Sequence, residues 1–289
     1  MTDYREHYYQ SPDGLTLYAK IYNPNQKDQT ILCMHGLTRN SADFDAVAEH
    51  LSEHYRVISV DQRGRGNSEW DPDINHYTPL NYVQDMWALL DGLHIDQVAL
   101  IGTSMGGLMS IMMGAEAPNR IMGIVLNDIG PQIESKGLER IKNYIGQDNS
   151  YNSWQHLADI TKEIHGQVFP NYRNEDWLKM AKRTGCVGED GMIRMNYDPA
   201  LAKPVHVGQK AAIPLDLWSS FDALKGKKIL TIRGELSDIL SIDVLDKMAR
   251  NHKGLKTHTV PNEGHAPMMD DKATLAVIDL WAEQVFGGN

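Results

Sequence analysis

The sequence predicts an α/β fold: a mostly parallel sheet with helices packed on both faces. Three observations predict it. Short apolar runs alternate with helical segments along most of the 289 residues, the pattern of strands joined by crossover helices. Turn signals separate the runs, beginning with Ser11-Pro12-Asp13-Gly14. Gly102-Thr103-Ser104-Met105-Gly106 stands where an apolar run meets a small-residue helical segment, a junction that needs glycine on both sides.

The elements follow in order. Tyr4–Gln10 and Leu15–Tyr22 flank the first turn and form an opening hairpin. Ile31–Met34 is a strand, Ala42–Glu53 a helix and Arg56–Val60 a strand. Leu80–Gly92 is a helix begun near Thr78-Pro79, since proline is tolerated in a first turn. Val98–Ile101 is a strand, Met105–Ala117 a helix stopped at Pro118, and Ile121–Leu126 a strand apolar enough for burial on both faces. The last third repeats the alternation: strand Ile229–Ile232, helix Ile242–Asn251, strand Thr257–Val260 and helix Lys272–Val285. These strands number eight. The middle differs. Ser135–Ile145, Trp154–Val168 and Asp176–Arg183 read as helices with no strand signal between them. Gly185 to Pro199 reads as a loop, Lys203 to Pro214 as an ambiguous connection and Leu217–Leu224 as a short helix.

Composition narrows the function. Hydrophobic content of 42% and charged content of 23% describe an ordinary globular chain. A formal charge of −10, from 38 acidic and 28 basic residues, repels nucleic acid and anionic membrane surface. No apolar run reaches the ~20 residues of a membrane span, and the segment Met1 to Glu6 lacks a signal-like apolar core. The two cysteines, Cys33 and Cys186, sit far apart in unlike settings and read as reduced thiols. A cytoplasmic protein with a small-molecule substrate is expected, either monomer or homo-oligomer.

The chemistry gathers at apolar-run ends. Ser104 follows one, and the bend holds its hydroxyl exposed. His265 follows the last strand, after Pro261-Asn262-Glu263-Gly264. Asp238 follows the strand ending at Gly234. Together they form a nucleophile, a base and an orienting acid, and ligands bind such sheets beyond the carboxyl ends of the strands. Asp128, after Asn127 at the end of the sixth strand, is the alternative acid. The amides of Leu37 and Met105 are placed to receive a developing oxyanion. Arg39 either holds a substrate carboxylate or makes an ion pair; Trp154 and Trp177 either line the pocket or fill the core of the middle segment. No cofactor is called for. His50-Leu51-Ser52-Glu53-His54 spells a zinc-protease pattern, but it ends just before a strand with no third ligand, so no metal is expected. The glycines of Asp61 to Ser68 lack the spacing of a dinucleotide loop and read as a packed turn.

These residues resemble the capped α/β-hydrolases of the esterase, lactonase and C–C hydrolase group. His35-Gly36, Asp61-Gln62-Arg63-Gly64-Arg65-Gly66-Asn67-Ser68, Gly102 to Gly107 and Gly264-His265 carry the likeness. It implies an eight-stranded sheet formed by residues 1–131 and 214–289, with a helical cap inserted after strand six at 132–213. It implies a serine hydrolase cleaving a small ester or lactone through an acyl-enzyme. C–C bond hydrolysis of a vinylogous diketone acid and a non-catalytic small-molecule receptor are the alternatives.

Overall fold

The computed structural model describes residues 4–147, 149–206 and 216–287. The chain begins β1 (Tyr4–Gln10), β2 (Thr16–Tyr22), β3 (Thr30–Met34), α1 (Asp45–Leu51), β4 (Arg56–Asp61), α2 (Pro79–Gly92), β5 (Val98–Thr103), α3 (Met105–Glu116) and β6 (Ile121–Asn127). It continues through α4 (Ser135–Tyr144), β7 (Ser150–Tyr151), α5 (Trp154–His165), α6 (Asn174–Thr184), β8 (Gly185–Val187), β9 (Ile193–Met195) and α7 (Ala202–His206). It ends with α8 (Trp218–Asp222), β10 (Lys228–Gly234), α9 (Ile242–Asn251), β11 (Lys256–Val260) and α10 (Lys272–Phe286).

Eight strands form one sheet in the order β1-β2-β4-β3-β5-β6-β10-β11. The β1–β2 and β2–β4 pairs are antiparallel, and the other pairs are parallel. Every residue of β3, β4 and β5 is buried, because helices cover both faces. On one face α2, α3 and α9 pack Met86, Leu90, Leu108, Ile111, Val244 and Met248 against the sheet. On the other, α1 and α10 contribute Val47, Leu51, Ile278 and Trp281. The helices start where local chemistry lets them. Thr78 caps α2 ahead of Pro79, Ser241 caps α9 and Asp271 caps α10, each side-chain oxygen taking an amide that the first turn leaves unpaired.

The middle of the chain leaves the sheet after β6. It leaves and rejoins the core side by side, since Gln132 bridges to Asp216 and the Leu217 amide donates to Pro131. The expectation of helices without strands is corrected here. β7, β9 and β8 form a small antiparallel sheet within the segment read as helices and loop. Its strands are two or three residues long, too short for an alternation to register in sequence. Gly191, at φ +77°, closes the β8–β9 turn. Tyr151, Leu157, Phe169, Trp177 and Ile193 form a separate apolar cluster inside this segment. The expected cap end at residue 213, and most of the Lys203 to Pro214 connection, fall outside the described residues.

Parallel pairing aims β5, β6, β10 and β11 the same way. Their carboxyl ends therefore deliver Ser104, Asp128, Asp238 and His265 to one edge.

Candidate active site

Ser104 sits between β5 and α3 at φ 53° and ψ −115°, a strained conformation for a residue with a Cβ. The surrounding glycines make it possible. A Cβ on Gly106 would run into the Met34 carbonyl, and one on Gly102 into the backbone of Gly106. The turn is held from below, where the Ser104 amide donates to Asn127 O at 3.1 Å.

The Ser104 hydroxyl lies 2.8 Å from His265 Nε2. His265 Nδ1 in turn lies 2.8 Å from Asp128 Oδ2. Asp128 is fully buried, at φ 55° just past β6, a conformation that aspartate tolerates better than most residues. Its other contacts offset the cost of burying it: the Gly234 amide donates to Oδ1 at 2.8 Å and the Ser237 hydroxyl to Oδ2 at 2.7 Å.

The expectation of Asp238 as the orienting acid is corrected by this geometry. Asp238 turns away to α4, where Arg140 Nε and Nη2 donate to its two oxygens at 2.6 and 2.8 Å. Burial raises the Asp238 pKa, but the Arg140 hydrogen bonds and charge outweigh it and hold the group below its ordinary value. The same loop thus sends Ser237 to Asp128 and Asp238 to Arg140. Gly137 lets α4 come this close, because any Cβ there would strike the Asp238 carbonyl.

The two candidate oxyanion amides have no acceptor among the described residues. Met105 opens α3, so its N–H lacks a helical partner and carries the positive end of the helix dipole. Leu37 is aimed by its neighbours. His35 Nδ1 lies 2.7 Å from Gly36 O, and its Nε2 takes the Gln62 amide at 3.1 Å. In this tautomer Nδ1–H donates to Gly36 O, and burial holds the imidazole neutral, at about 3. The Gly36 carbonyl is thereby fixed, and the planar trans peptide points the Leu37 N–H the opposite way. Arg65 Nε donates to the Leu37 carbonyl at 2.9 Å and secures the next peptide. Sequence reading named His35 only as part of a motif and Arg65 only as part of a turn; their orienting contacts are set by tertiary structure. The turn itself is packed as expected, with both oxygens of Asp61 taken by the Ser41 and Asn67 amides.

Two cavities meet at Ser104. One, of about 90 Å³, also has Arg39, Tyr144, His165, Phe169, Met180 and Met268 in its wall. The other, of about 40 Å³, is apolar, with Met105, Leu108, Ile129, Leu138 and Ile239. Leu37 and Ile141 belong to both. Neither expected tryptophan lines them. Trp177 is 2% exposed within the segment's own core, packed against Phe169 and Tyr172, and Trp154 packs on the same core. Arg39 does reach the cavity, but Nε and Nη2 are bound to Asp43, both at 2.6 Å.

Glu263 lies two residues before His265. Burial raises it to about 7, the Met268 amide opposes this, and Asp270 and Asp271 add to it. A raised acid binds its proton more tightly folded than unfolded, so stability falls as pH climbs from the ordinary carboxylate range through 7. Glu263→Gln is therefore expected to raise the melting temperature more at pH 8 than at pH 5. An equal change at both pH values in thermal melts refutes this.

His50 pairs with Asp279 of α10 at 2.8 Å, and His54 lies past the end of α1. Asp13, Asp71 and His76 converge as metal ligands do, yet Arg63 Nη1 already lies 2.8 and 2.5 Å from the two carboxylates. That cluster reads as an ion-pair network. Among the described residues, no helix is long and apolar enough to cross a membrane.

Comparison with known proteins agrees with this architecture. A family model for the alpha/beta hydrolase fold matches residues 29–272. The 3-hydroxybutyrate-oligomer hydrolase of Cupriavidus necator is 35% identical over 96% of this chain and 95% of its own. The 2-(acetamidomethylene)succinate hydrolase of Mesorhizobium japonicum is 28% identical over 81% of each chain. A crystal structure of an alpha/beta hydrolase from Novosphingobium aromaticivorans superposes with a TM-score of 0.94 at 39% identity, covering 99% of this chain and 100% of that one.

Proposed function

The chain belongs to the α/β-hydrolase family, and from that premise we propose that it is a cytoplasmic serine hydrolase cleaving a small carboxylic ester through an acyl-enzyme. The observation that carries this reading is the unbroken hydrogen-bond chain from Ser104 through His265 to Asp128, 2.8 Å at each step.

His265 Nε2 takes the Ser104 proton as Oγ attacks the ester carbonyl. Asp128 holds the Nδ1–H tautomer and stabilises the imidazolium that forms. The Leu37 and Met105 amides receive the oxyanion, each such donor being worth about 3 kcal/mol in precedents. His265 returns the proton to the departing alcohol, and water then releases the acyl group by the same steps reversed. The small cavities favour a short substrate, and helices α4 to α6 act as a lid over it. The whole-length likeness to a 3-hydroxybutyrate-oligomer hydrolase supports an ester that joins hydroxy-acid units.

A fluorophosphonate tests the reading. One equivalent is expected on Ser104, with none on Ser104→Ala, and an aryl acetate is expected to turn over steadily. Labelling at another residue contradicts the assignment; a stoichiometric burst without turnover points to a receptor on the same fold.

A further inference from the structure

The two cavities at Ser104 have unlike chemistry: apolar side chains wall one almost entirely, while the other brings a guanidinium, a phenol and an imidazole to its wall. Arg39, Tyr144 and His165 line it and continue into a neighbouring cavity between the core and α5. His165 Nδ1 is buried with no partner among the described residues. Burial, reinforced by the charges of Arg140 and Arg39, holds its imidazole neutral, at about 3. Arg39 has Nε and Nη2 on Asp43 and no bond from Nη1 among the described residues. Arg140, one turn before Tyr144 on α4, bonds the Tyr144 hydroxyl through its side chain, and its charge reaches both Tyr144 and His165.

The acids nearby do not answer these donors. Both oxygens of Asp43 are taken by Arg39 and both of Asp238 by Arg140. Asp128 is engaged by Gly234, Ser237 and His265. A buried donor without an acceptor is costly, and a ligand that brings acceptors removes that cost. Two oxygens bearing a charge do so best, since charge-assisted bonds are about twice as strong as neutral ones.

We propose that this cavity binds a free carboxylate on the substrate, held by Arg39 Nη1 and the His165 N–H with the Tyr144 hydroxyl beside them. The substrate class is then an ester with an acid group on one half and a short apolar group on the other, the latter in the cavity of Leu108, Ile129 and Ile239. The word substrate rests on the hydrolase reading; the carboxylate site stands on its own geometry.

Binding to Ser104→Ala separates the two. Titration calorimetry compares 3-acetoxybutanoate with 3-acetoxybutanamide, which has nearly the same shape and no charge. The acid is expected to bind at least about tenfold tighter. Arg39→Gln and His165→Phe, each placed in the Ser104→Ala protein, are each expected to reduce that preference to about twofold or less. Equal affinities, no measurable binding of the acid, or a preference that survives both replacements overturns the proposal. Failure of the hydrolase reading shows separately, as absence of phosphonate labelling on Ser104 in the wild-type protein.

Discussion

Ser104→Ala and His265→Ala are each expected to lower kcat by about 10⁶-fold, and the double variant to be little slower than either. The reason is that the proposed mechanism has the two groups perform one step. Without the imidazole 2.8 Å from its Oγ, Ser104 is a weakly nucleophilic alcohol; without the hydroxyl, His265 has no proton to accept. A residual rate above that of water is expected to remain, because in the proposed mechanism the amides of Leu37 and Met105 still polarise a bound carbonyl. Steady-state kinetics on an aryl acetate measures this. Strictly multiplicative losses in the double variant show that the two residues act independently, and the mechanism fails.

Asp128→Asn is expected to lower kcat by about 10⁴-fold, as loss of the equivalent acid does in triads with the same geometry. An amide in that place donates or accepts at the wrong atom and favours the imidazole tautomer whose Nε2 carries the proton, which cannot then take one from Ser104. Asp238→Asn is expected to leave kcat within about tenfold of wild type, since it breaks no proton-transfer contact. Its effect falls on stability. The bidentate bond to Arg140 ties α4 to the β10–α9 loop, and loss of one partner leaves a half-buried guanidinium uncompensated. A lower melting temperature with near-normal turnover is the expected signature. The opposite ranking of the two variants in kcat would return the acid to Asp238.

Much of the fold was legible without coordinates because it depends on local signals. The apolar runs of β3, β5 and β6 have the length and β-branched content of strands buried on both faces. The start of α9 is a local matter too, since Ser241 caps it one residue before the apolar periodicity begins. The junction at Ser104 was readable because only glycine fits on either side of it. The small sheet β7-β9-β8 was not: strands of two or three residues carry no period, and Gly185 and Gly188 signal a loop equally well. Trp154 and Trp177 stay open between pocket and core in the sequence, because size and chemistry do not distinguish a lining residue from a core residue.

What the sequence alone determined was the inventory at each strand end: a serine between glycines, a histidine after the last strand, and two aspartates, each just past a strand. Backbone order and turn chemistry are local properties, so they survive reading one residue at a time. Which aspartate faces the imidazole was decided only in three dimensions. Arg140, nearly a hundred residues from Asp238 in sequence, claims both oxygens of one carboxylate. The other lies under the Gly234 amide, the Ser237 hydroxyl and His265. Partners for a buried charge come from whatever the fold packs beside it, and neither the spacing nor the residue type of an aspartate records that.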